Sequence, residues 1–210
     1  MATPFLNQSG RIQEALSYMQ AVDPEPVHAR QVHRLMRSLL LSAKELHRFT
    51  PVQMALAESA ALLHDIGWGR ASQGDGRMHH KHSADMIRER RWTHFSALEV
   101  ELTAQVARYH RKKMPGVQHR EFILLSPGEQ EYVCKAASFL RLADALDRSH
   151  KNLLLDAKFQ NNDGAWVVMA WSLASAGEEP YGFSKKKDLF ERTFQCPVSL
   201  FFQQEEPPRS

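Results

Sequence analysis

A chain of 210 residues and 24.1 kDa, 43% hydrophobic and 24% charged, has ordinary globular arithmetic, which excludes disordered, collagen-like and disulfide-scaffold classes. Its formal net charge of +3 is too mild to argue for nucleic acid. No apolar run reaches the roughly 18 residues of a membrane span, and Met1–Gly10 lacks a basic-then-apolar leader pattern, so the expectation is a soluble cytoplasmic protein.

Taken in order, the first 150 residues read as helices. Ile12, Ala15, Leu16 and Met19 have helical spacing over Arg11–Ala21. Asp23-Pro24-Glu25 reads as a helix start, an N-cap followed by proline, for a helix running to about Phe49. Thr50-Pro51-Val52-Gln53 is a capping box whose helix runs into Leu63-His64-Asp65 and stops near Gly67. Residues 68–78 read as a glycine-rich loop, with helices following at 80–90 and 96–112. Ser126-Pro127-Gly128-Glu129 opens a last long helix to about Ser149. Beyond residue 152, Leu153–Phe159 and Ala165–Leu173 read as strands joined by the turn Asn161-Asn162-Asp163-Gly164. Lys185–Thr193 reads as a short helix and Pro197–Phe202 as another strand. The expected fold is mainly α: a helical domain over 1–150, a small α/β appendage over 151–203, and a flexible tail over 204–210.

The chain has eleven histidines, and their placement is the informative feature. Residues three or four apart share a helix face. His28 lies on the stripe Val32, Leu35, Leu39; His110 continues Leu98, Leu102, Val106; Asp144 joins Val133, Ala137, Leu140. His64 and Asp65 close the apolar helix Ala57–Leu63, and His82 precedes Met86 by four. Six histidines and aspartates thus point from separate helices toward one core. Buried charges are paired or bind metal. A mixed imidazole and carboxylate set suits manganese, iron, nickel, zinc or magnesium, one ion or two, and the absence of CxxC spacing around Cys134 and Cys196 argues against a structural zinc cluster.

The order His28, His64-Asp65, Asp144 resembles the HD superfamily of metal-dependent phosphohydrolases. Leu63-His64-Asp65-Ile66-Gly67, His79-His80-Lys81-His82-Ser83, Ala107-Arg108-Tyr109-His110-Arg111 and Leu142-Ala143-Asp144-Ala145-Leu146-Asp147-Arg148-Ser149-His150 resemble the C-terminal HD region of exopolyphosphatase/guanosine pentaphosphatase (Ppx/GppA) proteins, over about residues 10–203. The resemblance implies His28, His64, Asp65 and Asp144 as the HD metal ligands, His64 and Asp65 as catalytic, His82 and His110 as the extra histidines of dinuclear enzymes, and Lys81, Arg111 and Arg148 as phosphate contacts. In that family the HD region usually follows two actin-like domains that perform the polyphosphate chemistry. No segment here resembles them, so exopolyphosphatase activity is not expected. Trp68 stands where many HD hydrolases have lysine, and neither a GYP segment nor a nearby Glu-Asp pair follows, which turns expectation away from cyclic-di-GMP and alarmone hydrolysis.

Other residues have plainer readings. His33, about 140° round the helix from His28, reads as a supporting partner, and one of His79 and His80 can line the pocket. His47, His94, His119 and His150 read as surface residues, and Lys185-Lys186-Lys187 as an exposed face. Asp147 either holds a ligand histidine or pairs with Arg148. Trp166, Trp171, Phe190 and Phe194 read as the core of the appendage. The leading functional expectation is metal-dependent hydrolysis of a phosphoester or phosphoanhydride, with a phosphorylated small molecule or polyphosphate as partner. The alternatives are a non-catalytic polyphosphate- or nucleotide-binding module and, more weakly, a structural adaptor. A homodimer is left open.

Overall fold

The computed structural model describes residues 4–71, 78–162, 164–172, 174–175 and 177–207. The helical part comprises α1 (Pro4–Val22), α2 (Pro26–Ser42), α3 (Lys44–His47), α4 (Pro51–Leu63), α5 (Trp68–Ala71), α6 (His79–Glu89), α7 (Ala97–Arg108), α8 (Arg120–Ile123) and α9 (Pro127–Ala145). The C-terminal part is β1 (Leu154–Asn162), β2 (Ala165–Ser172), α10 (Glu179–Lys186), α11 (Asp188–Phe194) and β3 (Val198–Gln203). The protein is mainly α with a small α/β appendage. No described helix is long and apolar enough to cross a membrane.

Helix starts follow local chemistry. Thr50 Oγ1 accepts the Gln53 N–H at 3.2 Å while the Gln53 side chain accepts the Thr50 N–H at 2.9 Å. Ser96 and Glu99 make the same reciprocal pair ahead of α7, and the Glu129 carboxylate accepts the Ser126 N–H at 2.7 Å ahead of α9.

Several helix ends differ from the sequence reading. Asp23 does not cap α2; its Oδ1 accepts the Glu25 N–H at 2.8 Å and the helix begins at Pro26. α2 stops at Ser42, not near Phe49, because the His47 imidazole satisfies the break. Its Nε2–H donates to the Leu40 carbonyl at 2.9 Å, and its Nδ1 accepts the Phe49 N–H at 2.8 Å. His47 is therefore buried, contrary to the surface reading. α7 ends at Arg108 and α9 at Ala145, each earlier than the pattern indicated, and the expected helix 185–193 is two pieces, α10 and α11. The expected loop 68–78 begins with the short α5, and its residues 72–77 lie outside the described set.

The sheet has order β1-β2-β3. β1 and β2 are antiparallel, with Ala157 opposite Ala170, and β3 runs parallel to β2, with Leu200 opposite Val168. Gly164 in the hairpin has φ +90°, the left-handed conformation a tight turn demands. The largest core runs unbroken from Leu35, Leu39, Phe139 and Leu140 on α2 and α9 into Phe159, Val168 and Phe190 of the appendage. A second core joins α1, α4, α6 and α7 through Met19, Leu62, Leu63, Ile66 and Ile87. The ends of α4, α7 and α9 and the start of α6 meet between these cores.

Candidate metal centre

His64 and His110 occupy equivalent places. Each lies just past the end of a helix, α4 or α7, where the last carbonyls lack intrahelical partners. The His64 Nδ1–H donates to the Ala61 carbonyl at 2.8 Å and the His110 Nδ1–H to the Ala107 carbonyl at 2.7 Å. A carbonyl only accepts, so the proton sits on Nδ1 and Nε2 is turned inward with its lone pair available for a cation. His28, in the first turn of α2, is fixed by a carboxylate: its Nδ1–H donates to Asp147 Oδ2 at 2.8 Å.

Asp65, next to His64 at the end of α4, is the meeting point. Its Oδ2 lies 3.5 Å from His64 Nε2 and 3.9 Å from His28 Nε2. Its Oδ1 lies 3.2 Å from His79 Nε2 and 3.4 Å from His110 Nε2. Asp144, in the last turn of α9, approaches from the other side, with Oδ1 3.6 Å from His28 Nε2. Two triads, His28–His64–Asp65 and Asp65–His79–His110, have donor atoms within 4.8 Å of one another, so each could hold a metal ion. His28 Nε2, His64 Nε2 and Asp65 Oδ1 are buried without a hydrogen bond of good geometry. Buried polar atoms without a partner are costly, and a ring of imidazole nitrogens and carboxylate oxygens such as this fits a divalent ion.

The titration behaviour follows from burial and charge. Burial drives the carboxyl of Asp65 toward protonation, but His64 and the hydrogen bond from His79 more than reverse this and hold it far below the usual range. Burial likewise opposes ionisation of Asp144, and the Lys186 ammonium and His28 overcome it. Burial keeps His110 neutral by holding its pKa well below the ordinary value. His28 goes the other way: despite burial, Asp144 and Asp147 push it up to about 10. Asp23, whose Oδ2 is buried and unpartnered, is raised by burial with Asp65 adding to it.

His28, His64, Asp65, His110 and Asp144 therefore converge, as the helix faces indicated. His82 does not join them. It is half-buried one turn along α6, and His79 faces Asp65 instead. Residues three apart share a helix face, so both continue the stripe to Met86. What selects His79 is Gly67: a Cβ there would lie 2.2 Å from the His79 carbonyl oxygen and 2.4 Å from the Ser83 nitrogen. The bare glycine lets the first turn of α6 rest on the end of α4, where the Gly67 N–H donates to Ser83 Oγ at 2.9 Å. Trp68 stacks on the His79 ring, with centroids 4.1 Å apart.

The centre opens into a cavity of about 160 Å³ lined in part by Asp65, Asp144, Arg111, Arg148, His150 and Lys186. Arg111 Nη1 sits 3.1 Å from His79 Nε2. Arg148, two-fifths exposed at the rim, pairs with Glu178 at 3.2 Å. Lys81 is exposed and lines a neighbouring pocket of about 440 Å³ that shares Arg111 with the first and adds Arg108, Lys112 and Lys113. Asp147 serves His28, not Arg148. Sequence reasoning missed two residues here. His150, read as surface, stacks on His28 with centroids 3.8 Å apart. Lys186, read as part of an exposed face, contacts Asp144 Oδ2. A three-lysine run resembles a solvated surface, so only the fold identifies its middle member.

The chain is thus a mainly helical protein with a buried imidazole and carboxylate cluster suited to a cation. Residues 11–189 match the family of Ppx/GppA phosphatase, domain III, and the chain belongs to that family. Comparison with curated proteins gives no match.

Proposed function

We propose that this protein is a metal-dependent phosphohydrolase of HD type, acting on a phosphoester or phosphoanhydride. The observation that carries the reading is the set of inward-facing buried polar atoms without a hydrogen-bond partner, His28 Nε2, His64 Nε2 and Asp65 Oδ1, each on a side chain held from behind or shared between neighbours. His28, His64, Asp65 and Asp144 would hold one ion. Asp65, His79 and His110 would hold a second, with one oxygen of Asp65 facing each group. Manganese, iron, nickel, zinc or magnesium all suit these donors. When bound, such an ion lowers the pKa of a coordinated water and polarises a phosphoryl oxygen.

The chain's own residues divide the remaining work. Asp65 and His64 orient the reacting group. Arg111 stands where the small cavity meets the basic pocket, so its guanidinium offsets negative charge on phosphoryl oxygens. A cavity of about 160 Å³ suits a phosphoryl group, while the adjoining pocket with Lys81, Arg108, Lys112 and Lys113 suits the rest of an anionic, nucleotide-like or polyphosphate-like substrate. Arg148 would reach the substrate by exchanging its exposed partner Glu178. In this reading residues 1–150 form the metal-binding domain and residues 151–203 an appendage that contributes one wall of the cavity.

The test is turnover by metal-loaded protein across nucleotides, phosphomonoesters and polyphosphate. Release of inorganic phosphate that disappears in Asp65→Ala supports the reading; a fully loaded protein inert toward the whole panel contradicts it. The basic pocket favours a second reading, a polyphosphate- or nucleotide-binding module without turnover. Calorimetric binding of polyphosphate by a sample that hydrolyses nothing would select it.

A further inference from the structure

Lys186 is the last residue of α10, an element of the appendage, yet its ammonium contacts Asp144 Oδ2 inside the candidate centre. The fold builds this placement. Glu179, fully buried at the start of α10, accepts the Ser149 N–H at 3.2 Å, the Ser149 hydroxyl at 2.5 Å and the Gly177 N–H at 2.9 Å. Those bonds tie α10 to the chain just beyond α9. Gly182 then permits close approach, since a Cβ there would lie 3.1 Å from the Ala145 carbonyl oxygen and 2.7 Å from Arg148 Cδ. Lys186 is four residues on, on the same face. It is therefore directed at the neighbour of Ala145, which is Asp144. Its two sequence neighbours are used elsewhere: Lys185 lies over the Tyr181 ring and Lys187 pairs with Glu191 at 2.8 Å.

Asp144 has two oxygens. Oδ1 faces His28 Nε2 at 3.6 Å, and Oδ2 faces Lys186. A divalent ion and an ammonium that share one carboxylate repel each other across a few ångströms of partly dry protein. We propose that Lys186 is a tethered cation that competes with the metal ion for Asp144 and so sets the metal affinity of the centre. This rests on the metal-centre reading above. With no ion bound, the ammonium neutralises a buried carboxylate whose other oxygen faces His28. An ion that takes Asp144 must do so against that ammonium. The appendage thereby tunes a site whose donors all come from the helical part.

The test is calorimetric titration of metal-free protein with Mn²⁺ alone, in the wild type and in Lys186→Gln, Lys186→Met and Lys186→Arg. Glutamine and methionine remove the competing charge, and each is expected to tighten Mn²⁺ binding by about tenfold, the factor that about 1.4 kcal/mol corresponds to. Arginine keeps the charge and is expected to bind like the wild type. Methionine retains the aliphatic stem and keeps the experiment decisive should glutamine disturb α10. A thermal readout adds a second check: without metal the glutamine variant should melt below the wild type, and Mn²⁺ at one fixed concentration should raise its melting temperature by more. Equal or weaker Mn²⁺ binding in both uncharged variants, beside saturable binding in the wild type, overturns the role of Lys186 and leaves the metal centre standing. Absence of binding in every chain overturns both.

Discussion

Asp65 shows how much one side chain can organise. Its two oxygens face different pairs of imidazoles, and its position beside His64 at a helix end lets adjacent residues point at the same place. The residues behind these donors matter as well. Asp147 fixes the ring of His28 from Nδ1, and carboxylates in that role raise the basicity and hold the orientation of a ligand histidine. Asp147→Asn keeps the shape and removes the charge. We expect it to weaken Mn²⁺ binding by about tenfold, measured by calorimetry, with the helical circular dichroism unchanged.

His47, far from the centre, gives a pH prediction. Burial holds its pKa below the usual 6.5, and both ring nitrogens are committed, Nε2–H as donor to Leu40 and Nδ1 as acceptor from Phe49. The unfolded chain therefore takes up a proton at this residue before the folded one does. The stability His47 confers is complete above pH 6.5 and is lost as pH falls toward the depressed folded value, by at most about 1.4 kcal/mol per pH unit. Urea unfolding between pH 7.5 and 5 should show this slope in the wild type and a shallower one in His47→Gln. At the residue scale, His28, His64, Asp65, His110 and Asp144 were legible because helical spacing fixes which face a residue shares. His79 and His82 could not be ranked, since spacing three apart leaves both on one face. Lys186 and His150 were illegible because their partners, Asp144 and His28, are distant in sequence and meet only in the fold.

Among the elements, starts were more legible than ends. The boxes at Thr50 and Ser126 are local, so the sequence contains all that forms them. The end of α2 depends on an imidazole that folds back from α3 onto Leu40, and α9 ends where Asp147 turns toward His28, a contact across 119 positions that no window of sequence displays. The close approach of the turn after α4 to α6 at Gly67 is tightly constrained. Gly67→Ala would force a methyl group into backbone atoms of His79 and Ser83 that no side-chain rotation can relieve. We expect a loss of more than about 2 kcal/mol in chemical denaturation. The same change should weaken Mn²⁺ binding, because α6 carries His79. Wild-type stability in Gly67→Ala would show that the close approach of the two elements is not needed.

At the scale of the whole molecule, helices and sheet share one continuous core through Phe139, Phe159 and Phe190. The change in character near residue 152 was plain in the sequence, but its consequence was not: β1 packs on α2, and its Phe159 ring meets Phe139 of α9. We expect one cooperative thermal transition for both parts. An ion that binds only the folded chain adds about 2.7 kcal/mol at a hundredfold excess over its dissociation constant. For a chain of this size that corresponds to roughly 2–4 °C in melting temperature per kcal/mol. Chelation should reverse the gain, and the reversal should be absent in Asp65→Ala.

The central claim, that separate helix ends converge to hold a divalent cation, is tested most directly by anomalous diffraction from crystals grown with Mn²⁺. A manganese peak is expected within bonding distance of His28 Nε2, His64 Nε2, Asp65 and Asp144, and missing from Asp65→Ala crystals grown alongside. Well-ordered crystals of the wild-type chain with those four side chains in place and no anomalous density between them would contradict it.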